Sequence, residues 1–378
     1  MPTLLKRLEL GWRRALLAAA HRPFRGRVVT QAEDLLKLGP APRILLIRLE
    51  RIGDVLVSTP VVRALRDRYP AATIDLLVSR ANYAVQDAVE PYVTRVWCYE
   101  KTAASALHLL RDLRRTKYDV IVDLVDNPST TAQLVVRWCQ PRAVVGLLHP
   151  DSGHYTHAAP LLDRGSVHPV ERLAQLLLPF GIDPATQSLD ISYPLGTADL
   201  DRARQTLGPS VHPFRLGVNI SGRGVGKNWG TANYVTVIEH LRRTDGRFAV
   251  SVCGAPQDAG QVMEVADASG AEGVPATGSL RDFAAIVRVF DLFLTPDTAA
   301  LHLAAAGKVP TVGLYHANPT VAPWLPYNTP NRMVGDPRGI QAITVERVIA
   351  ALEELIRERF GSPAQSGISD TVPPALPA

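Results

Sequence analysis

Cysteine is nearly absent: Cys98, Cys139 and Cys253 are the only three in 378 residues. They are odd in number and widely spaced, and no CxxC occurs, so the chain offers neither a disulfide framework nor a cysteine-rich zinc site. A reducing cytoplasm is the compartment this implies. Aromatic residues make up 6%, a profile of helices packed on parallel sheets more than of an all-β sandwich. No run approaches 18 apolar residues, which excludes a transmembrane helix. The apolar N-terminal stretch is broken by Arg13 and Arg14 and has no small-residue cleavage site after it, so it does not read as a signal peptide. No GxGxxG follows the first strand, which weakens a dehydrogenase reading, and GxSxG and HExxH are missing. One DxD, Asp199-Leu200-Asp201, opens a short helix and reads as a cap, not a metal site.

Positive charge is present but confined. The chain carries 41 Lys+Arg and 36 Asp+Glu, a net +5. Residues 1–30 hold seven bases and one acid, so that segment is +6 and the remaining chain is −1. A nucleic-acid groove in the body is thereby excluded as the source of the charge, and no nucleic-acid partner is expected. Within residues 3–20, Leu4, Leu5, Leu8, Trp12, Leu16 and Leu17 recur at mixed three- and four-residue spacing with bases between. The pattern predicts a basic amphipathic helix, either lying in a membrane interface or packed on the protein's own surface.

The length suggests two domains. RILLIRL (43–49) is a continuous apolar run of the buried parallel-strand type. Strands are predicted at 73–79, 93–99, 119–124 and 143–147, alternating with helices up to about Arg68 and near 104–116, 129–138 and 168–180. A Pro-rich linker (182–212) with a short helix at 198–207 follows. A second series has strands at 215–220, 248–253, 291–295 and 311–315. Its helices lie near 231–244, 258–269, 281–288 and 298–306. The predicted organisation is an arm (1–40), an α/β domain (41–197), a second α/β domain (198–342), a helix (343–360) packing across the domains, and a Pro-, Ser- and Ala-rich disordered tail (361–378). A ligand belongs in the cleft between two such halves.

Three segments could carry chemistry. In IRLERIGDVLVSTPVVRAL (47–65), Asp54 stands just beyond a buried strand, where ligands of open α/β sheets bind. It serves there either as a general base or as a helix cap. In LFLTPDTAALHLAAAGKVPTVGLY (292–315), Asp297-Thr298 open a helix whose free amides suit phosphate oxygens. His302 follows one turn later, as a catalytic or a core residue. NISGRGVGKNWG (219–230) is not a Walker A loop, because Ser221 and Asn228 occupy required Gly and Ser/Thr positions. It is still a cationic loop (Arg223, Lys227) at a strand's carboxyl end.

Together with GKNWG, CGAPQD, TGSLRDFAAIV and HPVERLAQLLLPFGI, these segments resemble the bacterial ADP-heptose:lipopolysaccharide heptosyltransferases, glycosyltransferase family 9, in the same order over about residues 43–320. The resemblance implies a GT-B fold with two Rossmann-like domains, the acceptor held mainly by the first and the nucleotide sugar by the second. It implies an inverting enzyme needing no metal and no cofactor. ADP-heptose would be the donor, a lipopolysaccharide core or similar lipid-linked saccharide the acceptor, and the cytoplasmic face of the inner membrane, with its anionic surface, the place of work. By the same resemblance Asp54 is the base and Lys227 neutralises the leaving diphosphate. Asp297 meets donor hydroxyls, while Thr298 and the amides from Ala299 on hold phosphate. His302 matches the family histidine, and Ser221 belongs to the donor loop. Asp258 faces the ribose, and Ser279 and Leu280 lie near the base. Arg48, Arg51, Arg63, Asn127 and Ser129 would serve the acceptor. Ala299 departs from the family's glycine, Glu50-Arg51 from Ser-Ser, and Tyr315-His316 from Phe-Gly. These departures point to a donor other than ADP-heptose or to a different acceptor, and two other readings stay open: a sugar-nucleotide 2-epimerase on the same fold and, given Ala299, a non-catalytic sugar- or lipid-binding relative.

Overall fold

The computed structural model of the chain describes residues 24–100, 102–127, 129–150, 152–222, 228–318 and 324–362. Lys227, the amphipathic segment at 3–20 and nearly all of the tail lie outside the described residues.

The first domain is built on seven parallel strands: β1 (Arg27–Val28), β2 (Arg43–Ile47), β3 (Thr73–Ser79), β4 (Arg95–Tyr99), β5 (Val120–Asp123), β6 (Ala143–Leu147) and β7 (His157–Ala159). Their spatial order is β1-β7-β6-β5-β2-β3-β4. The middle strands are apolar throughout because both faces are covered. Ile44, Leu46, Leu76 and Val122 point to one packed layer, and Leu45, Ile47, Leu77 and Ile121 to the other. This is the two-residue alternation of a strand buried on both sides. In register, Leu46 pairs with Leu76 on one flank and with Val122 on the other.

The second domain has six parallel strands: β8 (Phe214–Asn219), β9 (Phe248–Cys253), β10 (Glu272–Gly273), β11 (Leu292–Pro296), β12 (Thr311–His316) and β13 (Asn331–Asp336). Their order is β10-β9-β8-β11-β12-β13. Both sheets are therefore doubly wound. Each reverses strand order once, between β2 and β5 in the first and between β8 and β11 in the second.

The domains share one apolar layer. Ala284, Ile286, Ala300, Leu303 and Ala304, from second-domain helices Leu280–Val289 and Ala299–Gly307, belong to the same buried cluster as Ile44 and Leu46 of the first domain. Inside the linker, helix Thr197–Leu207 buries Ala203 and Leu207 in this layer. Asp199 accepts the Gly196 N–H and pairs with Arg281 at 2.7 Å. Arg281 and that N–H hold its carboxyl down to about 2. The DxD carboxylate is thus a cap and an anchor.

Two boundaries differ from expectation. Residues 27–40 are not part of a free arm. Arg27 and Val28 pair with His157 and Ala158, and Val29 and Leu36 are buried. An edge strand only two residues long leaves no periodic signal to read. Helix Val345–Phe360 does not bridge the domains: Val348, Leu352 and Leu355 pack in the second domain's own core, and Arg332 of β13 pairs with Glu354 and Glu358. Its apolar stripe fits the outer face of the nearest sheet, which β12 and β13 present to it.

Candidate active site

In open α/β sheets, ligands bind beyond the carboxyl ends of strands, at the point where strand order reverses. In the first domain that point lies between the loops after β2 and β5. A cavity of about 280 Å³ occupies it, lined by Arg48, Glu50, Asp54, Asn127, Ser129 and Trp324. A larger concavity of about 800 Å³, around Arg242, Phe248 and Asp267, includes the opening residues of β9 and the ends of helices Thr231–Thr244 and Ala259–Ser269. It lies at the wrong end of the strands for this rule.

Asp54 is held in a fixed orientation. Its Oδ1 lies 3.3 Å from Arg48 Nη2, and its Oδ2 accepts the Arg51 N–H at 2.8 Å. Arg48 is almost wholly buried, and its guanidinium also donates to the Leu124 and Asp54 carbonyls. The cap reading and the functional one therefore coexist: one carboxylate oxygen closes the first turn of helix Ile52–Leu56, and Asp54 still lines the cavity. Glu50 Oε2, 3.9 Å from Arg48 Nε, has no hydrogen-bond partner among the described residues. Burial pushes the Glu50 carboxyl up, with Asp54 adding to that push and Arg48 opposing it. Behind the cavity the fully buried Asp123 accepts the Tyr155 O–H at 2.9 Å. Burial raises its carboxyl to about 7.

In the second domain the corresponding crevice lies between the loops after β8 and β11. Asn219, at the end of β8, donates to Thr295 Oγ1 at 2.8 Å and accepts the Ser221 N–H, tying the two strands together there. Ser221 Oγ donates to Asp258 Oδ2 at 2.5 Å and accepts the Ala255 N–H at 2.7 Å. Two expected donor residues are thereby joined. Thr298 caps helix Ala299–Gly307 by accepting the Ala300 N–H. Ser279 caps helix Leu280–Val289 through Asp282, and Leu280 packs on the shared apolar layer. Trp229, of the GKNWG motif, is buried and donates to the Ile343 carbonyl at 2.8 Å, while Gly230 takes φ +104°. That left-handed backbone is one only glycine adopts readily.

The two crevices meet through His302. Its ring lies against Gly53: a Cβ at that position would be 2.9 Å from Cδ2 and 3.3 Å from Nε2. Burial pushes the imidazole down, while Asp297 and Asp54, one from each domain, pull the other way. Nδ1 has no partner among the described residues. Asp54, His302 and Asp297 thus converge at the domain junction.

The HPVER motif supplies the wall, a role the sequence did not suggest. His168 Nε2–H donates to the Leu325 carbonyl at 3.0 Å, and Nδ1 accepts the Val170 N–H. Burial lowers this histidine to about 4. Tyr327 O–H donates to Glu171, and Arg172 grips Asp126 at 2.9 Å beside the cavity. Trp324, in the same segment, lines the cavity and faces His302 at 6.0 Å between ring centroids. No local pattern announced it.

One expected site residue is displaced. Arg63 donates to the Ser188 and Asp190 carbonyls at 2.6 and 3.2 Å. It fastens helix Thr59–Arg68 to the linker and is not among the cavity residues. Arg51 reaches the site through its backbone, and its side chain is exposed.

Two doubly wound domains, apposed so that the reversal points of both sheets flank one junction, define a GT-B fold. The family model for glycosyltransferase family 9 (heptosyltransferase) matches residues 106–347. The chain belongs to this family. It is 27% identical over 341 residues to lipopolysaccharide heptosyltransferase 3 of Escherichia coli (strain K12), covering 81% of this chain and 96% of that protein. It is 21% identical over 343 residues to the lipopolysaccharide core heptosyltransferase OpsX of Haemophilus influenzae, covering 86% and 89%. Among solved structures, a family 9 glycosyl transferase from Veillonella parvula superposes with a TM-score of 0.72 at 21% identity, over 87% of this chain and all of that one. E. coli heptosyltransferase WaaC with ADP-2-deoxy-2-fluoro heptose superposes at 0.65 and 17% identity, over 82% and 99%.

Proposed function

We propose that the chain is an inverting, metal-independent heptosyltransferase that uses ADP-heptose and extends a lipopolysaccharide core or similar glycolipid. It would work at the cytoplasmic face of the inner membrane, in peripheral contact with that surface. The observation that carries the reading is the convergence of Asp54 with the Asp297–Thr298 helix start at one junction. The names of the relatives supply the sugar and the acceptor class.

In this reading Asp54 takes the proton from an acceptor hydroxyl as that oxygen bonds to the anomeric carbon. The bond from that carbon to the diphosphate oxygen breaks, and ADP leaves. Arg48 and the Arg51 N–H fix the Asp54 rotamer so that the base is oriented before the acceptor arrives. Thr298, the amides from Ala299 on and Lys227 stabilise charge growing on the diphosphate. Asp297 binds donor hydroxyls, the Ser221–Asp258 pair meets the ribose, and Ser279 and Leu280 lie beside the nucleobase. Glu50, Asn127 and Ser129 contact the acceptor. The buried junction around His302 keeps water from the donor.

Asp54→Asn keeps an oxygen for the Arg51 N–H and removes the base. Transfer should fall by roughly 10²–10⁴-fold, with nucleotide affinity unchanged by thermal shift. Wild-type turnover in that variant refutes Asp54 as the base. Retained activity in EDTA and an inverted product anomer by NMR are also expected. Donor consumption without acceptor would select the epimerase reading, and nucleotide binding without turnover the non-catalytic one.

A further inference from the structure

The outer face of the first domain carries a feature the reaction does not use. Leu107 is 61% exposed, Leu134 55% and Trp138 41%. They sit on the neighbouring helices Ala103–Thr116 and Thr130–Cys139. Leu134 and Trp138 are four residues apart, so they share a face. Trp138 also joins the two helices: its Nε1–H donates to the Leu110 carbonyl at 2.9 Å, and the Arg114 guanidinium lies 5.7 Å from its ring centroid. Leu134 and Trp138 thus form an apolar strip fixed against the neighbouring helix, with Leu107, three residues before Leu110, exposed on that helix.

The strip is rimmed by cations. Arg111, Arg114, Arg115, Lys117 and Arg137 are all exposed on or just after these helices. The only exposed acid there, Asp112, is 3.7 Å from Arg115. The surface is thus +4, on a chain that is −1 outside residues 1–30. An exposed Leu/Trp strip within a basic field matches the interface of an anionic bilayer, with apolar side chains at the headgroup boundary and bases on lipid phosphates. Position strengthens the match. Ser129, Thr130 and Thr131, at the start of the Leu134 helix, line the acceptor cavity.

We propose that the paired outer faces of helices Ala103–Thr116 and Thr130–Cys139 dock the first domain on an anionic lipid bilayer and hold the mouth of the acceptor cavity beside it. Docking itself needs only the surface. Its purpose, delivery of a lipid-linked acceptor, rests on the function proposed above. The contact is distinct from the basic segment at residues 3–20.

The test is flotation of the full chain with vesicles of phosphatidylglycerol and phosphatidylethanolamine, against phosphatidylcholine alone. L107E/L134E and R111E/R115E should each lower binding at least about ten-fold on the anionic vesicles, with unchanged melting temperatures. A chain lacking residues 1–23 should retain binding that L107E/L134E then removes. Binding at the wild-type level in both double variants overturns the proposal. So does loss of all binding on removal of residues 1–23, or self-association through the strip with no vesicle binding. Transfer to a delipidated acceptor saccharide is the separate readout. It should persist in L107E/L134E, and its absence in the wild type counts against the proposed function and not against docking.

Discussion

Replacing Gly53 with alanine tests the domain junction directly. Gly53 lies within helix Ile52–Leu56, where alanine is favoured over glycine by roughly 1 kcal/mol. On helix propensity alone the variant should be more stable. The junction reverses the sign, because the new methyl would stand 2.9 Å from Cδ2 and 3.3 Å from Nε2 of His302. That ring is buried, with the Trp324 ring 6.0 Å away between centroids, so it has no open path to solvent. Either the imidazole leaves its rotamer or the two helices separate by a few tenths of an ångström. Overpacking of this kind costs about 1–3 kcal/mol, so the net loss should be roughly 0–2 kcal/mol, seen as a lower melting temperature. The effect on transfer should be larger, on the order of 10-fold to 100-fold in kcat, since the same shift moves Asp54 away from the Asp297–Thr298 helix start. The decisive assay is the cycle with His302→Ala. Removing the ring removes the clash, so Gly53→Ala should be neutral or stabilising in that background, with a coupling energy of about 1–3 kcal/mol. Equal effects of Gly53→Ala with and without the imidazole would falsify the contact.

Two further predictions concern buried polar groups. Asp123 has its folded pKa raised to about 7, against an ordinary 3.8. Its protonated form therefore stabilises the fold below pH 4, and that contribution, on the order of 4 kcal/mol, is lost as pH rises through 7. Asp123→Asn, which can still accept the Tyr155 O–H, should show a melting-temperature advantage over wild type that widens from pH 4 to 7 and then levels off. Parallel profiles would refute it. Trp229→Phe removes the donor to the buried Ile343 carbonyl and should cost about 1–3 kcal/mol in chemical denaturation, whereas a loss under about 0.5 kcal/mol would mean that this bond does not anchor the loop.

Element types were largely legible. The runs at 73–79, 143–147 and 248–253 form strands with the predicted bounds, and the helix at 231–244 likewise, because each carries its own apolar pattern and its own Pro, Gly or Asn stops. The strands that were missed, β1, β7, β10 and β13, are short or lie at sheet edges, where one uncovered flank relaxes the demand for apolar residues. Cavity residues Arg48, Asp54, Asn127 and Ser129 were readable because each follows a strand that could be read. Trp324 was not, since it reaches the cavity from the other domain. Arg63 was misplaced for a related reason: its guanidinium is taken by carbonyls 125 and 127 residues away, a partnership without local trace.

The amino-acid sequence by itself determined two α/β halves, their alternating elements, the family, and the carboxylate and helix start at the end of each half's key strand. These depend on patterns within about twenty residues, which the backbone enforces locally. Tertiary structure alone decided that β5 lies beside β2 and β11 beside β8, and that Gly53 meets His302. It also decided that Asp54 and Asp297 act on the same imidazole. Those outcomes follow from close packing between segments far apart in the chain, where the fit of one methyl-sized space decides what touches.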